Sequence, residues 1–259
     1  MTTPGGTGSA DFADHFSGHA SAYAVYRPRY PVALYDWLLT VSPGAQLAWD
    51  VGTGNGQVAH GLVTRFARVV ATDPSAEQLS RAVPHPRIKF IETKYASGLA
   101  AASVQLITVG QAIHWFELDA FFAEAARVLQ PRGVVAAFAY AHSRVTPEID
   151  AHVRRFHDVT LAGYWAPEHH LIHAGYRTLA LPIDEIAAPA FELCEQWTLA
   201  QYSGFLRTWS SVQKLIAAGG EAHVTSFEQE LASAWGRESV RAVIWPLVLR
   251  AGPLHDASL

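Results

Sequence analysis

Trp49-Asp50-Val51-Gly52-Thr53-Gly54-Asn55-Gly56-Gln57 ends an apolar run and opens a helical one, and Asp73 closes the next apolar run, Val69-Val70-Ala71-Thr72. Glycines at 52, 54 and 56 let the backbone turn sharply with positive φ and let a ligand lie against bare peptide groups. The carboxylate at the end of the second run is placed to accept two hydrogen bonds from a ribose diol. A lone G-x-G carries little weight, but strand, glycine turn, helix, strand and terminal acid in that order specify a nucleotide pocket. The details oppose a dinucleotide. In G-x-G-x-x-G the third glycine stands three positions after the second, where this chain has Gln57; its third glycine is Gly56. Asp50, two residues before the first glycine, would also meet a pyrophosphate with like charge, whereas an ammonium group or a bridging water suits it.

Outward from this loop, apolar and helical segments alternate. Pro31 to Leu39 reads as a helix with Pro31 in its first turn. Gln46 to Val51, Arg68 to Thr72, Ile88 to Ile91, Val104 to Val109 and Val134 to Phe138 read as five strands, with helices over Gly56 to Phe66 and Leu118 to Leu129. Tyr95 to Ser103 reads as loop, and Pro131-Arg132-Gly133 as a break before the fifth strand. This order specifies an α/β fold, a parallel sheet covered on both faces, with ligands at the carboxyl ends of its strands. Beyond Tyr140 the alternation stops. His142 to Arg177 is helical in pattern and dense in histidine and aromatic residues, which predicts a cap. A sixth strand is expected at Ala190 to Leu193, helices at Leu199 to Trp209 and Phe227 to Trp235, and a last strand at Val240 to Leu249 that Pro246 demotes in part to an edge or a bulge.

The 259 residues suit one domain, divided into an N-terminal arm (1–44), a ligand-binding core (45–140), a cap that includes a late strand (141–235) and a terminal strand (236–259). Nineteen basic against twenty-three acidic residues, with no run of like charge, disfavour a nucleic-acid partner. No apolar run reaches the roughly 18 residues that span a bilayer, and Met1 to Asp11 has neither a basic start nor an apolar core, so no membrane partner and a cytoplasmic location are expected. Cys194 is the single cysteine, which excludes an intrachain disulfide; its apolar surroundings predict a buried structural thiol. Oligomeric state is not encoded in any motif.

Three further segments carry a family resemblance. Gln111-Ala112-Ile113-His114-Trp115-Phe116, then Glu124-Ala125-Ala126-Arg127-Val128-Leu129-Gln130-Pro131-Arg132-Gly133, resembles the "QAxHWF … EaxRVLxPGG" block of class I S-adenosylmethionine (SAM) methyltransferases acting on small molecules, the type 11 and trans-aconitate methyltransferase-like group. Tyr26-Arg27-Pro28-Arg29-Tyr30-Pro31 resembles that group's "Y…RPxYP" element, and Phe205-Leu206-Arg207-Thr208-Trp209-Ser210 its "gylrTWS" element. The resemblance spans roughly residues 12 to 250. It implies a Rossmann-like seven-stranded sheet, mostly parallel with the last strand antiparallel, carrying helices on both faces, an N-terminal arm and a helical cap. It also implies S-adenosyl-L-methionine as cofactor, held by Asp50, Gly52, Thr53, Gly54, Gly56, Asp73, Pro74, Gln78, Ala96, Ser97 and Gln111. Two positions depart from the family. Ser97 stands where an acid commonly meets the adenine amino group, and Gln105 replaces the acid of "SVD".

Methyl transfer from a sulfonium is an in-line displacement with an excellent leaving group, so alignment and exclusion of water matter most. His114, just after strand four, is a candidate for base, hydrogen-bond donor or orienting residue. Arg27 is the candidate anion clamp, because a guanidinium grips a carboxylate with two parallel hydrogen bonds. Tyr23, Tyr26, Trp115, Tyr164, Trp165, Arg207 and Trp209 are candidates for the substrate wall, with aromatic faces that would stabilise a sulfonium; Phe116 is expected to pack. His169 and His173 stand at helical i,i+4 spacing beside His170, but no acid or cysteine at ligand spacing joins them, and no metal is expected. The leading expectation is methylation of a small molecule at a carboxylate oxygen. The alternatives are attack on the aminobutyrate carbons of SAM with release of methylthioadenosine, as in azetidine-carboxylate synthases, and a non-catalytic SAM-binding protein.

Overall fold

The computed structural model describes residues 28–255. Helix α1 (Val32–Val41) precedes a seven-stranded sheet. Its first half is β1 (Leu47–Val51), α2 (Gln57–Leu62), β2 (Arg68–Asp73), α3 (Ala76–Ser80), β3 (Ile88–Glu92), β4 (Val104–Gly110), α4 (Leu118–Val128) and β5 (Leu129–Tyr140). The cap follows as α5 (Pro147–Arg155), a π-helical turn (Phe156–Thr160) and α6 (His170–His173). The chain then forms β6 (Glu192–Trp197), α7 (Leu199–Arg207), α8 (Ser210–Ala217), α9 (Glu221–Trp235) and β7 (Arg241–Pro253). Strand order is β3-β2-β1-β4-β5-β7-β6. The first five strands pair in parallel and β7 runs antiparallel to both its neighbours, as expected.

Burial on both faces explains why β1 is apolar at every position but Asp50. Ala48 enters the core beneath α1 and α2, whereas Leu47, Trp49 and Val51 enter the opposite core with Phe121 of α4. The first core continues through Phe138 and Tyr140 into the cap, where the Phe156 and Phe227 rings stack at 3.9 Å. The reversal of order between β1 and β4 leaves a crevice at the carboxyl ends of β1, β2 and β4, the place where such sheets bind ligands.

Several expectations shift. Pro131-Arg132-Gly133 does not precede the fifth strand as a break; it lies inside β5, where the register with β4 slips between Val104 and Leu106 and Arg132 takes φ +65°. Strand β6 starts later and runs further than expected, and β7 reaches Pro253. Pro246 sits mid-strand, where the pairing changes over. Residues 241–246 face β6 and residues 247–253 face β5, so a missing N–H costs the ladder little at that point. Cys194 is exposed, not buried, because alternation along β6 turns Leu193 and Trp197 inward and sends Cys194 outward. Helix α8 had no counterpart in the expected elements. Among the described residues no helix is long and apolar enough to cross a membrane.

The second edge of residues 247–253 is closed by a loop: Asp184 N–H donates to the Pro253 carbonyl at 2.9 Å and Ile186 N–H to Ala251 at 2.8 Å. A Cβ on Gly252 would lie 2.0 Å from the Asp184 carbonyl oxygen, a backbone atom that cannot swing aside. Gly252→Ala should therefore destabilise the protein by about 1–3 kcal/mol. Urea unfolding followed by circular dichroism measures this, and an unchanged midpoint would show that the loop yields freely.

Candidate active site

The glycine loop hangs from one buried carboxylate. Asp50, the penultimate residue of β1 and 1% exposed, accepts hydrogen bonds from the Thr53 hydroxyl at 2.5 Å and the Thr108 hydroxyl of β4 at 2.7 Å. Burial pushes its carboxyl up to about 7, against the pull of the two threonine hydroxyls and with a further push from the charge on Asp73. Asp50 lies beneath the loop and is not part of the wall of the cavity above it, and its hydrogen bonds set the loop's shape. Gly52, Gly54 and Gly56 have φ of +66°, +57° and +86°. A Cβ on Gly52 would meet the Ala112 Cβ at 2.6 Å, so this glycine lets the turn after β4 close onto the loop. Gly56 faces the Phe90 ring behind the loop.

A cavity of 630 Å³ opens over the loop, within the roughly 300–1,000 Å³ typical of cofactor sites. Gly52, Thr53, Gly54, Asp73, Pro74, Gln78, Gln111 and Trp115 line it, all of them anticipated from sequence. Asp73 faces it from the end of β2, with Oδ2 accepting from Gly54 N–H at 2.8 Å and Oδ1 from Ser75 N–H at 2.9 Å. Ser75 in turn caps α3 through Gln78 N–H, which fixes Gln78 at the rim. The bare peptide groups of the loop, the carboxylate at 9% exposure and the aromatic rings of Tyr95 and Phe116 fit the two ends of an adenosine moiety.

Ala96 and Ser97 do not line this cavity. The Ser97 hydroxyl donates to Glu124 of α4 at 2.6 Å and accepts from Leu99 N–H, so it is committed to holding its own loop. Lys94 and Tyr95 take that place in the wall. Gln105, the second departure from the family, accepts from Leu47 N–H at 2.7 Å and donates to the Gln130 side chain at 2.8 Å. Its amide pins the start of β1, a pairing that an acid could not complete. Phe116 packs edge-on against Phe121 at 5.1 Å, as expected, while its other side reaches the cavity.

A second cavity of 110 Å³ shares Gln111, Trp115 and Tyr140 with the first and continues into the cap. His114, Trp165, Trp209, His142, His157, His169 and His173 line it. Gln111 stands at the junction with φ +57°, unusual for a non-glycine residue, held by its N–H to the Phe138 carbonyl at 2.8 Å and its side chain to the Tyr140 carbonyl at 3.1 Å. His114 is buried, with Nδ1 3.0 Å from the Tyr176 hydroxyl, and burial pulls its pKa down to about 4. Two residues expected in the substrate wall are elsewhere. Arg207 is bound to Glu228 at 2.7 Å and to Glu221 at 3.0 Å on the protein surface, and Tyr164 packs in the cap core. Tyr23, Tyr26 and Arg27 lie outside the described residues. Tyr30 and Tyr140 are wall residues that sequence reasoning missed. Tyr30 is the tyrosine of the RPxYP-like element, and Tyr140 ends a strand on the ligand side of the sheet, so the position was the signal.

An unfolded histidine titrates near 6.5 and folded His114 near 4. Between these values the unfolded chain binds more protons, so the contribution of His114 is fully present above 6.5 and is lost as pH falls toward 4. From about pH 7 to about pH 4 the wild type should lose on the order of 3 kcal/mol more stability than His114→Gln. Parallel urea titrations measure the difference; identical pH slopes would contradict it.

Comparison with known proteins agrees with this geometry. A model of the methyltransferase domain matches residues 49–137. A Dictyostelium discoideum protein named as a methyltransferase is 28% identical over 240 residues, covering 91% of each chain. A Mycobacterium tuberculosis "Uncharacterized methyltransferase" is 36% identical over 125 residues, 48% of this chain and 51% of its own. The solved "Putative Type II Methyltransferase" of Anaeromyxobacter dehalogenans is 41% identical and superposes with a TM-score of 0.83, covering 88% of this chain and 97% of its own. With its sheet order, its glycine loop and these relatives, the chain belongs to the class I SAM-dependent methyltransferases, and S-adenosyl-L-methionine is its cofactor.

Proposed function

We propose that the chain methylates a small molecule seated in the 110 Å³ cavity, at a carboxylate oxygen. One observation carries the acceptor class. His114, the titratable group that sequence placed nearest the reacting end, is held neutral by burial and is a weak base at about pKa 4. A carboxylate needs no proton removed before it attacks, whereas an amine or a phenol does. His114 then serves as an orienting residue, its imidazole set by Tyr176. The anion clamp is assigned to Arg27, on its place in the RPxYP-like element.

The glycine loop and Asp73 would hold the adenosine part of the cofactor in the larger cavity. When bound, S-adenosyl-L-methionine supplies a methyl group on a sulfonium, already activated for displacement. Trp115 and Tyr140, shared by both cavities, offer π faces to positive charge and exclude water at the junction.

Asp73→Ala removes a charged acceptor and also the anchor of Gly54 N–H, so affinity for S-adenosylhomocysteine should fall about 10–100-fold in calorimetry. Incubation with SAM and a panel of carboxylic acids, amines and phenols tests the acceptor. Methyl esters together with S-adenosylhomocysteine are expected, and Arg27→Ala should raise KM for the acid by at least about tenfold. Turnover confined to phenols or amines would overturn the carboxylate assignment. Methylthioadenosine as the released nucleoside would overturn methyl transfer itself.

A further inference from the structure

The histidines of the cap converge. His142 follows β5, His157 lies in the π-helical turn and His173 ends α6, yet one ring nitrogen from each falls within 4.8 Å of the others. Their ring centroids are 4.4, 4.4 and 5.0 Å apart. Three imidazoles bound to one tetrahedral ion at about 2.0–2.1 Å place their ring centres about 5 Å apart, close to this spacing.

His157 supplies an independent indication. Its Nδ1 lies 2.6 Å from the Asp158 carboxylate, which only accepts, so Nδ1 carries a proton and Nε2 of the neutral imidazole is the nitrogen available to a ligand. That Nε2 is buried, in a residue only 9% exposed, and it has no hydrogen-bond partner. A carboxylate that fixes the tautomer and orientation of an imidazole from behind is the usual support of a metal-bound histidine. Three uncharged nitrogen ligands suit first-row transition ions and not the oxygen-seeking Mg²⁺ or Ca²⁺.

We infer that His142, His157 and His173, with Asp158 behind His157, form a binding site for a divalent transition-metal ion of the Zn²⁺ class. Three protein ligands leave a fourth position open, and all three histidines line the cavity that also contains Gln111 and Trp115. An ion there would supply positive charge in a cavity whose described wall contains no lysine or arginine. The site differs from the one weighed in the sequence. His170 turns to the Pro167 carbonyl and His169 lies tilted against Trp165 at 4.1 Å, while His142 and His157 join His173 only through the fold.

Metal binding does not depend on what the acceptor is, and the test uses none. Untagged full-length protein, stripped with chelator, is titrated with Co²⁺ and read by its visible ligand-field absorption, with Zn²⁺ as competitor. One equivalent of low-symmetry Co²⁺, displaced by Zn²⁺, is expected. His157→Ala should abolish the band, and Asp158→Asn, which leaves all three ligands in place, should weaken binding about 10–100-fold. His223→Ala, on the exposed face of α9, should change nothing. Retained S-adenosylhomocysteine binding shows that each variant is folded. The absence of a stoichiometric band, or a band that survives both His157→Ala and Asp158→Asn, would overturn the site.

Discussion

The two short hydrogen bonds to Asp50 hold the cofactor region together. Through them one carboxylate ties β1 to β4 and to the first turn of the glycine loop. Neither hydroxyl can be replaced by water, because the carboxylate is sealed beneath the loop. The same burial that raises its pKa strengthens these bonds, since a low-dielectric surrounding screens their electrostatic attraction less than water would. Asp73, the neighbouring acid, faces the cavity and instead satisfies two backbone donors. Two aspartates at the ends of adjacent parallel strands thus have separate tasks. One shapes the loop from below, and the other presents charge above it.

The second cavity follows a different physical rule. Its wall is built from imidazole and indole rings on segments far apart in sequence, brought together by the cap helices. Burial keeps His114, His142 and His169 uncharged, so cation repulsion does not split this ring cluster near neutrality. Packing then does what hydrogen bonds do around Asp50. Trp165 lies 5.5 Å from Trp209 and 4.5 Å from His157, forming an aromatic floor.

What could be read from the sequence was local. Strand, glycine turn and helix follow each other directly, and Asp73 is found by the strand it closes, so the wall of the cavity over the glycine loop was legible. Ser97 was misread because its partner, Glu124, lies on another element. Arg207 was misread for the same reason, since Glu221 and Glu228 reach it from α9. The convergence of His142, His157 and His173 has no sequence period at all, for it depends on a π-helical turn and on the path between β5 and α6. Pro246 misled in a different way. A proline mid-strand breaks a ladder only if its nitrogen faces a carbonyl, and a strand that changes partner there has none to meet.

Gln111, Trp115 and Tyr140 belong to both cavities, and Gln111 holds a left-handed backbone that costs on the order of 1 kcal/mol. A ligand that stiffens this partition from one side changes the free energy available to a ligand on the other. By thermodynamic reciprocity such an effect is equal in both directions, so occupancies of the two cavities would be linked quantities through the residues they share.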